Sequence, residues 1–303
     1  MRRSLGLAAV AALALFFASQ PAWAQRPELE HPIFGHSQMG GTGFITTPHA
    51  MVSPAALYGT FTMVVPQEVE GEDIWIQHNG TVGLSLGSFL EVGGSMNGLD
   101  SYSGFAKLQV LQQTDLYPAI AFGVMNVNTT ERARYTVSDW FYTKNDRFKD
   151  LFETASYYGV VTYVAGPGGE RFPSWVIFSA GFGYGPVFSK ENPLFEDQGS
   201  GGAFGAIALD FQVDDRAFLR FVFEYDGFDS NAAVVAWLDG LEVTAGIVAI
   251  DESDPPDPLL PGQIIDCTTQ NSWLFYNQAK FYISIALEGR ALAQLPWTWR
   301  GGE

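Results

Sequence analysis

Leu57-Tyr-Gly-Thr-Phe-Thr-Met-Val-Val65 decides the fold, because its side chains alternate between two chemically different faces. The apolar face consists of Leu57, Phe61, Met63 and Val65, together with Gly59. The opposite face consists of Tyr58, Thr60 and Thr62. Successive side chains of a β-strand point to opposite sides of a sheet, so this period of two indicates a strand with one apolar face.

The same alternation recurs along the rest of the chain. It is found in residues 81–87, 90–97, 106–110, 120–124, 176–184, 219–225, 232–238, 241–247 and 281–287. Asp239-Gly240 separates two of these segments and is typical of a two-residue hairpin turn. Segments of about ten residues add up to about 12 strands, within a range of about 10 to about 14. The range reflects Asn79-Gly80, which could form a turn or lie inside one long strand.

The composition favours a protein that crosses a membrane with strands. Charged residues make up 16% of the chain, aromatic residues make up 15%, and there are 33 glycines. Beyond the N-terminus, no segment has the roughly 18 consecutive apolar residues of a transmembrane helix. An outward apolar face with aromatic girdles is typical of outer-membrane barrels. The predicted fold is therefore all-β, a transmembrane antiparallel up-and-down β-barrel.

Several charged residues fall on the faces opposite the apolar ones. Arg220 and Glu224, for example, share a strand face, and a buried charge in a soluble core would need a partner. In a barrel these side chains would face the lumen. The predicted lumen-lining set is Glu91, Lys107, Arg220, Glu224, Glu242, Lys280 and Glu288. Two interpretations stay open, an internal salt-bridge network that closes a narrow barrel and a polar lining for a solute path.

Residues 1–24 are typical of a secretory signal peptide. Arg2 and Arg3 precede an apolar run, and Pro21-Ala-Trp-Ala24 offers a small-residue cleavage site. A retained membrane anchor is the alternative, but the run is short for a span of roughly 20 residues. With cleavage near Ala24, we expect a periplasmic lead-in at 25–39, the barrel at 40–289 and a C-terminal tail at 290–303. The expected location is the outer membrane of a Gram-negative bacterium, with its lipid as a partner.

The charge balance argues against nucleic acid as a partner. The chain has 16 Lys and Arg against 33 Asp and Glu, a net charge of −17. Loss of Arg2 and Arg3 with the signal peptide lowers −17 by two, to −19. Binding of phosphates depends on clustered basic residues. The only cysteine, Cys267, has no intramolecular disulfide partner.

The longest segments without alternation are expected to be loops. They are residues 129–154, 189–202 and 251–272. Outer-membrane barrels have short periplasmic turns and longer outer loops, so these three are predicted to be extracellular.

Gly83-Leu-Ser-Leu-Gly87 matches the Gly-x-Ser-x-Gly pattern of serine hydrolases. That chemistry needs a strand-to-helix turn and, in that fold, a later histidine, but all four histidines precede Ser85. The histidines also lack the spacing of a metal site, and no phosphate-binding glycine motif occurs. We therefore expect no enzyme activity, no metal and no cofactor.

Gly40-Gly-Thr-Gly-Phe-Ile-Thr-Thr-Pro-His-Ala50 stands just before the first predicted strand. Its glycines allow positive φ or close backbone approach, and Pro48 keeps Thr47 out of the helical region. The stretch is predicted to be a tight turn followed by extended chain, where the polypeptide passes from the periplasm into the first strand.

This stretch resembles the opening of the YjbH-like family of outer-membrane proteins of exopolysaccharide production. That family opens with a glycine-rich segment, a hydrophobic pair and Thr/Ser-Pro-x-Ala. Residues 111–123 and Phe223-Glu-Tyr-Asp-Gly227 are similar to two later stretches of the family. The residues that carry the resemblance are Gly40, Gly41, Gly43, Thr47, Pro48, Ala50, Glu224, Tyr225, Asp226 and Gly227.

The resemblance implies a part in exopolysaccharide secretion, as a passive conduit or as a docking component. The implied partners are an exopolysaccharide and other periplasmic or outer-membrane export components. Two alternatives stay open, a porin-like channel for small or hydrophobic solutes and a barrel enzyme that modifies lipid.

Overall fold

A computed structural model describes the parts of the chain on which the fold rests. The described residues are 35–37, 40–53, 55–65, 77–87, 89–97, 101–114, 116–128, 132–136, 142–145, 155–166, 173–185, 188, 201–214, 217–227, 230–248, 250, 264–266 and 280–289. The predicted signal peptide and C-terminal tail therefore lie outside the described residues.

The described elements are strands. They are β1 (Leu57–Val65), β2 (Gln77–Leu86), β3 (Leu90–Asn97), β4 (Ser101–Leu111), β5 (Ala119–Asn128), β6 (Arg132–Thr136), β7 (Tyr142–Asn145), β8 (Ser156–Ala165), β9 (Trp175–Tyr184), β10 (Gly201–Asp214), β11 (Ala217–Tyr225), β12 (Ser230–Leu238), β13 (Leu241–Val248), β14 (Ile264–Asp266) and β15 (Lys280–Glu288). Within the described residues, a helix with the length and apolarity needed to cross a membrane is absent.

Twelve of these strands form one closed antiparallel barrel. Around the barrel each strand lies beside the strands that precede and follow it in the chain, and β1 closes the ring by pairing with β15. Tyr58 lies opposite Glu288 at one end of this closing pair, and Val65 lies opposite Phe281 at the other. The prediction of an all-β, antiparallel up-and-down barrel of about twelve strands is confirmed.

Three short strands lie outside the barrel in segments predicted to be loops. β6 pairs with β7, and β14 pairs with β6 across more than a hundred residues of chain. The insertion between β5 and β8 therefore meets the insertion between β13 and β15 in one small sheet. The alternation test missed these strands because each has only three to five residues.

The two faces of each barrel strand differ as the sequence pattern predicts. In β1, Phe61 is 49% exposed and Met63 38%, whereas Tyr58 and Thr62 are buried. The same outward apolar face appears on β2, β9 and β15 through Leu84, Phe178 and Ile283. The apolar side chains therefore cover the outside of the barrel, and the polar and charged ones lie inside.

Two turn signals of the sequence have different outcomes. Asp239 and Gly240 join β12 to β13 with φ values of 48° and 91°, the positive φ values that a tight hairpin turn needs. Asn79 and Gly80 instead lie inside β2, opposite Thr62 and Phe61. The longer β2 settles the strand count at the middle of the predicted range.

Large aromatic rings fill part of the inside of the barrel by lying over glycines of a neighbouring strand. Each ring residue stands directly opposite its glycine in the strand register. The pairs are Tyr58 with Gly83, Phe105 with Gly93, Tyr158 with Gly123, Phe204 with Gly181 and Tyr282 with Gly246. A Cβ at any of these glycines would overlap the ring. The rings can therefore lie flat against the wall only because these positions are glycines.

We expect G83A to destabilise the barrel by about 1–3 kcal/mol, because the added methyl group forces the buried Tyr58 ring out of place. G80A in the same strand is the matched control, since its nearest neighbouring atom would be 3.9 Å away. The measurement is urea unfolding in detergent micelles, followed by tryptophan fluorescence. Equal midpoints for the two variants would contradict this account of the lumen.

Candidate functional site, the plugged barrel lumen

The barrel lumen contains a segment of the chain's own N-terminal region. We call residues 35–37 and 40–53 the plug. His49 and Ala50 are fully buried, and Ile45 is 1% exposed. Plug residues contact inward-facing side chains of β3, β4, β8, β11 and β13, so the wall surrounds the plug.

This position differs from the one expected from the sequence. The sequence predicts that Gly40–Ala50 leads straight into the first strand and that residues 25–39 form a periplasmic lead-in, of which 25–34, 38 and 39 lie outside the described residues. The structure places Gly35–Ser37 and Gly40–Ala50 inside the barrel, and the first strand begins at Leu57. An irregular segment without alternation gives no sequence signal of what surrounds it, which explains the difference.

The plug folds back on itself through its own backbone. Gly43 N–H donates to Gly35 O at 2.9 Å, and Phe44 N–H donates to Thr47 O at 2.9 Å. Gly40 and Gly41 have φ values of 94° and 84°, which a residue with a side chain rarely adopts. The glycine-rich stretch therefore makes the tight turn that the sequence predicts.

Glu224 of β11 is the principal anchor of the plug. Its carboxylate accepts hydrogen bonds from the backbone N–H groups of Ile45, Thr46 and Thr47, at 3.0, 2.8 and 3.2 Å. The Thr47 hydroxyl also donates to Glu224 at 2.8 Å, and the Asn231 amide donates at 3.0 Å. Successive N–H groups that converge on one anion stabilise its charge, so burial of this carboxylate is offset by the plug.

Asp226 lies beside the same anchor. Its carboxylate accepts a hydrogen bond from the Thr46 hydroxyl at 3.2 Å and one from the Asn231 amide at 3.1 Å. Asn231 thus donates to both carboxylates and stands between two like charges. Thr46 therefore donates to both acids, Glu224 of β11 and Asp226, the residue that follows β11.

A second anchor joins the plug to β3 and β4. Glu91 accepts a hydrogen bond from Thr42 N–H at 2.7 Å and forms an ion pair with Lys107 at 3.0 Å. Lys107 donates to Thr42 O at 2.9 Å and to His49 O at 3.3 Å, and Tyr58 donates its hydroxyl to Glu91. This buried pair has hydrogen-bond partners on both ions, which a buried ion pair needs if it is to be tolerated.

His36 provides a third contact, with β13. Its Nδ1 lies 3.3 Å from a carboxylate oxygen of Glu242, and its ring lies 4.4 Å from the ring of Tyr58. Burial opposes a charge on His36, but the hydrogen bond to Glu242 and the nearby carboxylate of Glu288 outweigh it and raise the pKa of His36. Beside Glu242, His36 therefore keeps its proton to a higher pH than an unperturbed histidine does.

His49 has the opposite tendency. Burial lowers the pKa of His49 well below its usual value, and the positive charges of Lys107 and Arg220 lower it further. His49 is therefore neutral in the folded plug. Its ring packs edge-on against Phe44 at 5.5 Å between ring centroids.

Arg220 forms a paired ion bridge within the wall. Its Nε and one terminal nitrogen donate to the two oxygens of Asp210 at 2.6 and 2.7 Å, a bidentate geometry. Asp210 stands opposite Arg220 in the register of β10 and β11. The bridge ties two neighbouring strands on the inner face.

Most of the predicted lumen-lining residues lie on the inner face and are buried. They are Glu91, Lys107, Arg220, Glu224, Glu242 and Glu288. Lys280 is the first residue of β15, and its side chain lies outside the described residues. Sequence reasoning left out Asp210, although its alternation with Ala206 and Ala208 on β10 signals the same face.

The structure joins two of the stretches that carry the family resemblance. Thr47 of the first stretch binds Glu224 of the third, and Asp226 reaches Thr46. Tyr225 instead points outward with 47% exposure, and Gly227 follows with a φ of 112°. Pro48 and Ala50 are buried in the plug.

Ser85 of the Gly-x-Ser-x-Gly match lies on the inner face of β2. Its hydroxyl is buried and has no hydrogen-bond partner among the described residues. Within the same residues, no group of three His, Cys, Asp or Glu side chains is arranged to bind a metal ion. The absence of enzyme activity stays a prediction.

The fold and the site define a closed twelve-stranded β-barrel whose lumen holds an internal plug. Comparison of the chain with protein-family models and with curated proteins finds no match. The resemblance to the YjbH-like family therefore stays a prediction.

We expect E224Q to weaken the attachment of the plug by about 1–3 kcal/mol, because one of the two acceptor oxygens becomes an NH2 group, which faces donors and cannot accept from them. E224A should weaken it more, since three backbone N–H groups lose their acceptor. Hydrogen exchange at the amides of Ile45, Thr46 and Thr47 measures the effect. D239N, which removes a charge in the hairpin turn between β12 and β13, is the control and should leave these amides protected.

We expect H36Q to be less stable than the unchanged protein at acidic pH. The pKa of His36 is raised in the folded state, so its contribution is complete below the unfolded value of about 6.5. It is lost as pH rises through the folded pKa, so the difference between the two proteins should narrow at alkaline pH. Urea midpoints measured across this pH range give the test, and a difference that widens with pH would contradict it.

Proposed function

We propose that this protein is an outer-membrane β-barrel that takes part in exopolysaccharide secretion as a docking component. The observation that carries the proposal is the apolar outer face of a closed barrel. Large apolar side chains on this face include Phe122 at 56%, Phe182 at 59% and Phe223 at 58% exposure.

Lipid is the environment that such a surface fits. Soluble monomers rarely expose contiguous apolar patches of more than a few hundred Å². A closed barrel pairs its strand edges, so backbone groups are satisfied without water. The predicted signal peptide supplies a route to the envelope, and the outer membrane is the envelope layer in which barrels of this kind reside.

While the plug is in place, the filled lumen favours docking over passive conduction. The plug, the aromatic rings of Tyr58, Tyr158 and Tyr282 and the buried ion pairs occupy the space that a conduit would need. The same observation argues against a constantly open porin-like channel. Sequence reasoning left open whether the inward charges form an internal network or line a path, and their bonds to the plug support the internal network.

The link to exopolysaccharide rests on the resemblance to the YjbH-like family. Two of the three resembling stretches meet in one set of hydrogen bonds, between Thr47 and Glu224. This supports the view that those residues form one structural unit. The hydrogen bond between Thr47 and Glu224 gives a physical reason for the two stretches to occur in the same chain.

Membrane location is tested by fractionation of cells that produce the protein. We expect the mature chain in the outer-membrane fraction, with a gel mobility that shifts when the sample is boiled, because an intact barrel migrates as a compact form. Recovery from the soluble periplasmic fraction without such a shift would contradict membrane insertion.

The role in secretion is tested by deletion of the gene. We expect the amount of surface polysaccharide to fall and a plasmid copy of the gene to restore it. A plasmid copy with S85A should restore it equally, since the proposed role involves no serine chemistry. Unchanged polysaccharide in the deletion strain would refute the proposal.

A further inference from the structure

The barrel wall closes without help from the plug. β1 pairs with β2 on one side and with β15 on the other, and the plug is not part of this ladder. Where both donor and acceptor are backbone atoms, the described hydrogen bonds of residues 35–37 and 40–47 lie within the plug, such as Ser37 N–H to Gly41 O at 3.0 Å. Withdrawal of the plug therefore leaves the hydrogen bonds of the wall in place.

The plug is attached to the wall mainly through donors on the plug and carboxylates on the wall. Glu91 receives hydrogen bonds from the backbone and hydroxyl of Thr42. Glu224 receives them from the backbone and hydroxyl of Thr47. Water or another hydroxyl-bearing molecule can take the place of such donors at the carboxylates. The plug can therefore leave at a lower free-energy cost than if it were held only by buried apolar contacts.

The lumen wall has an excess of negative charge. The buried charged side chains of the described strands and the residue after β11 comprise six carboxylates and two cations. The carboxylates are Glu91, Asp210, Glu224, Asp226, Glu242 and Glu288, and the cations are Lys107 and Arg220. Once uncovered, this wall attracts cations and hydrogen-bond donors and repels anions.

The fold of the plug also shows how wide the lumen is. Its chain doubles back, with bridges between His36 and Thr42 and between Gly43 and Pro48. The lumen therefore accommodates at least two adjacent passes of polypeptide. Ring faces of Tyr58 and Phe105, which now lie against His36 and Gly40, would become available beside the carboxylates.

We propose that the plug is displaceable, and that the lumen behind it is a cation-selective passage that admits neutral or amine-bearing glycan chains and excludes acidic ones. The choice of a glycan rests on the proposed role in polysaccharide secretion. The displacement and the ion selectivity rest on the plug contacts and the wall charges alone.

The first test compares ion conductance of the full mature protein in planar lipid bilayers. The unchanged protein should be closed for most of the recording. E91Q/E224Q should raise the open fraction by about tenfold or more, because it weakens hydrogen bonds to two charged acceptors. D239N removes a charge outside the lumen and should behave like the unchanged protein.

A second measurement covers the case in which the double variant fails to fold. The unchanged protein is exposed to rising urea in the same bilayer. Channels should open reversibly at urea concentrations at which the protein still shows the gel mobility shift on boiling, the sign of an intact barrel. Folded E91Q/E224Q without added conductance, or opening only when the barrel itself unfolds, would overturn the displaceable plug.

Selectivity is measured on the opened channels. A salt gradient should give a reversal potential that favours K⁺ over Cl⁻, and maltohexaose should reduce the current more strongly than hexagalacturonate at equal concentration. An anion-selective channel, or equal block by both sugars, would overturn the acceptor-lined passage. These outcomes are independent of the gene-deletion result, so failure of the secretion role and failure of the passage are distinguishable.

Discussion

The hydrogen bonds between Glu224 and the backbone of Ile45, Thr46 and Thr47 are the constraint on which the interior depends. A carboxylate inside a barrel loses its hydration, and the loss is tolerable only when donors replace water. Irregular backbone inside a barrel has the converse need, because its N–H groups lack the partners that a strand would supply. Wall and plug therefore satisfy each other, and water or another donor has to replace these bonds when the two separate.

The number of strands explains why the interior needs this arrangement. A barrel of about eight strands is filled by its own side chains, whereas barrels of about 16 strands leave a water channel. Twelve strands lie between these cases. Rings such as Tyr58 and Tyr158, lying over glycines, fill part of the space near the wall, and the plug fills the remainder. A twelve-stranded wall thus encloses more space than its own side chains fill, and the plug occupies that space.

The sequence predicts the wall well and the plug poorly, for physical reasons. Period-two alternation is local, so it reveals the strands, their outward faces and the inward position of Glu91 and Arg220. It does not reveal the hydrogen-bond partner of an inward charge, because partners such as Glu224 and Thr47 are separated by 177 residues of chain. The hairpin signal at Asp239-Gly240 is correct, since both residues take positive φ. The similar signal at Asn79-Gly80 gives way to the pairing of β2 with β1.

The plug changes how the acidic residues of the chain act on a solute. From composition alone, an acidic barrel is an unfavourable partner for an acidic polymer. In the structure, the acids Glu91 and Glu224 have their charge engaged by donors of the plug, so little of it is presented to a solute while the plug is in place. Their charge becomes effective only when the plug leaves. Since the acids that secure the closed state would also select what enters an open one, closure and selectivity depend on the same side chains.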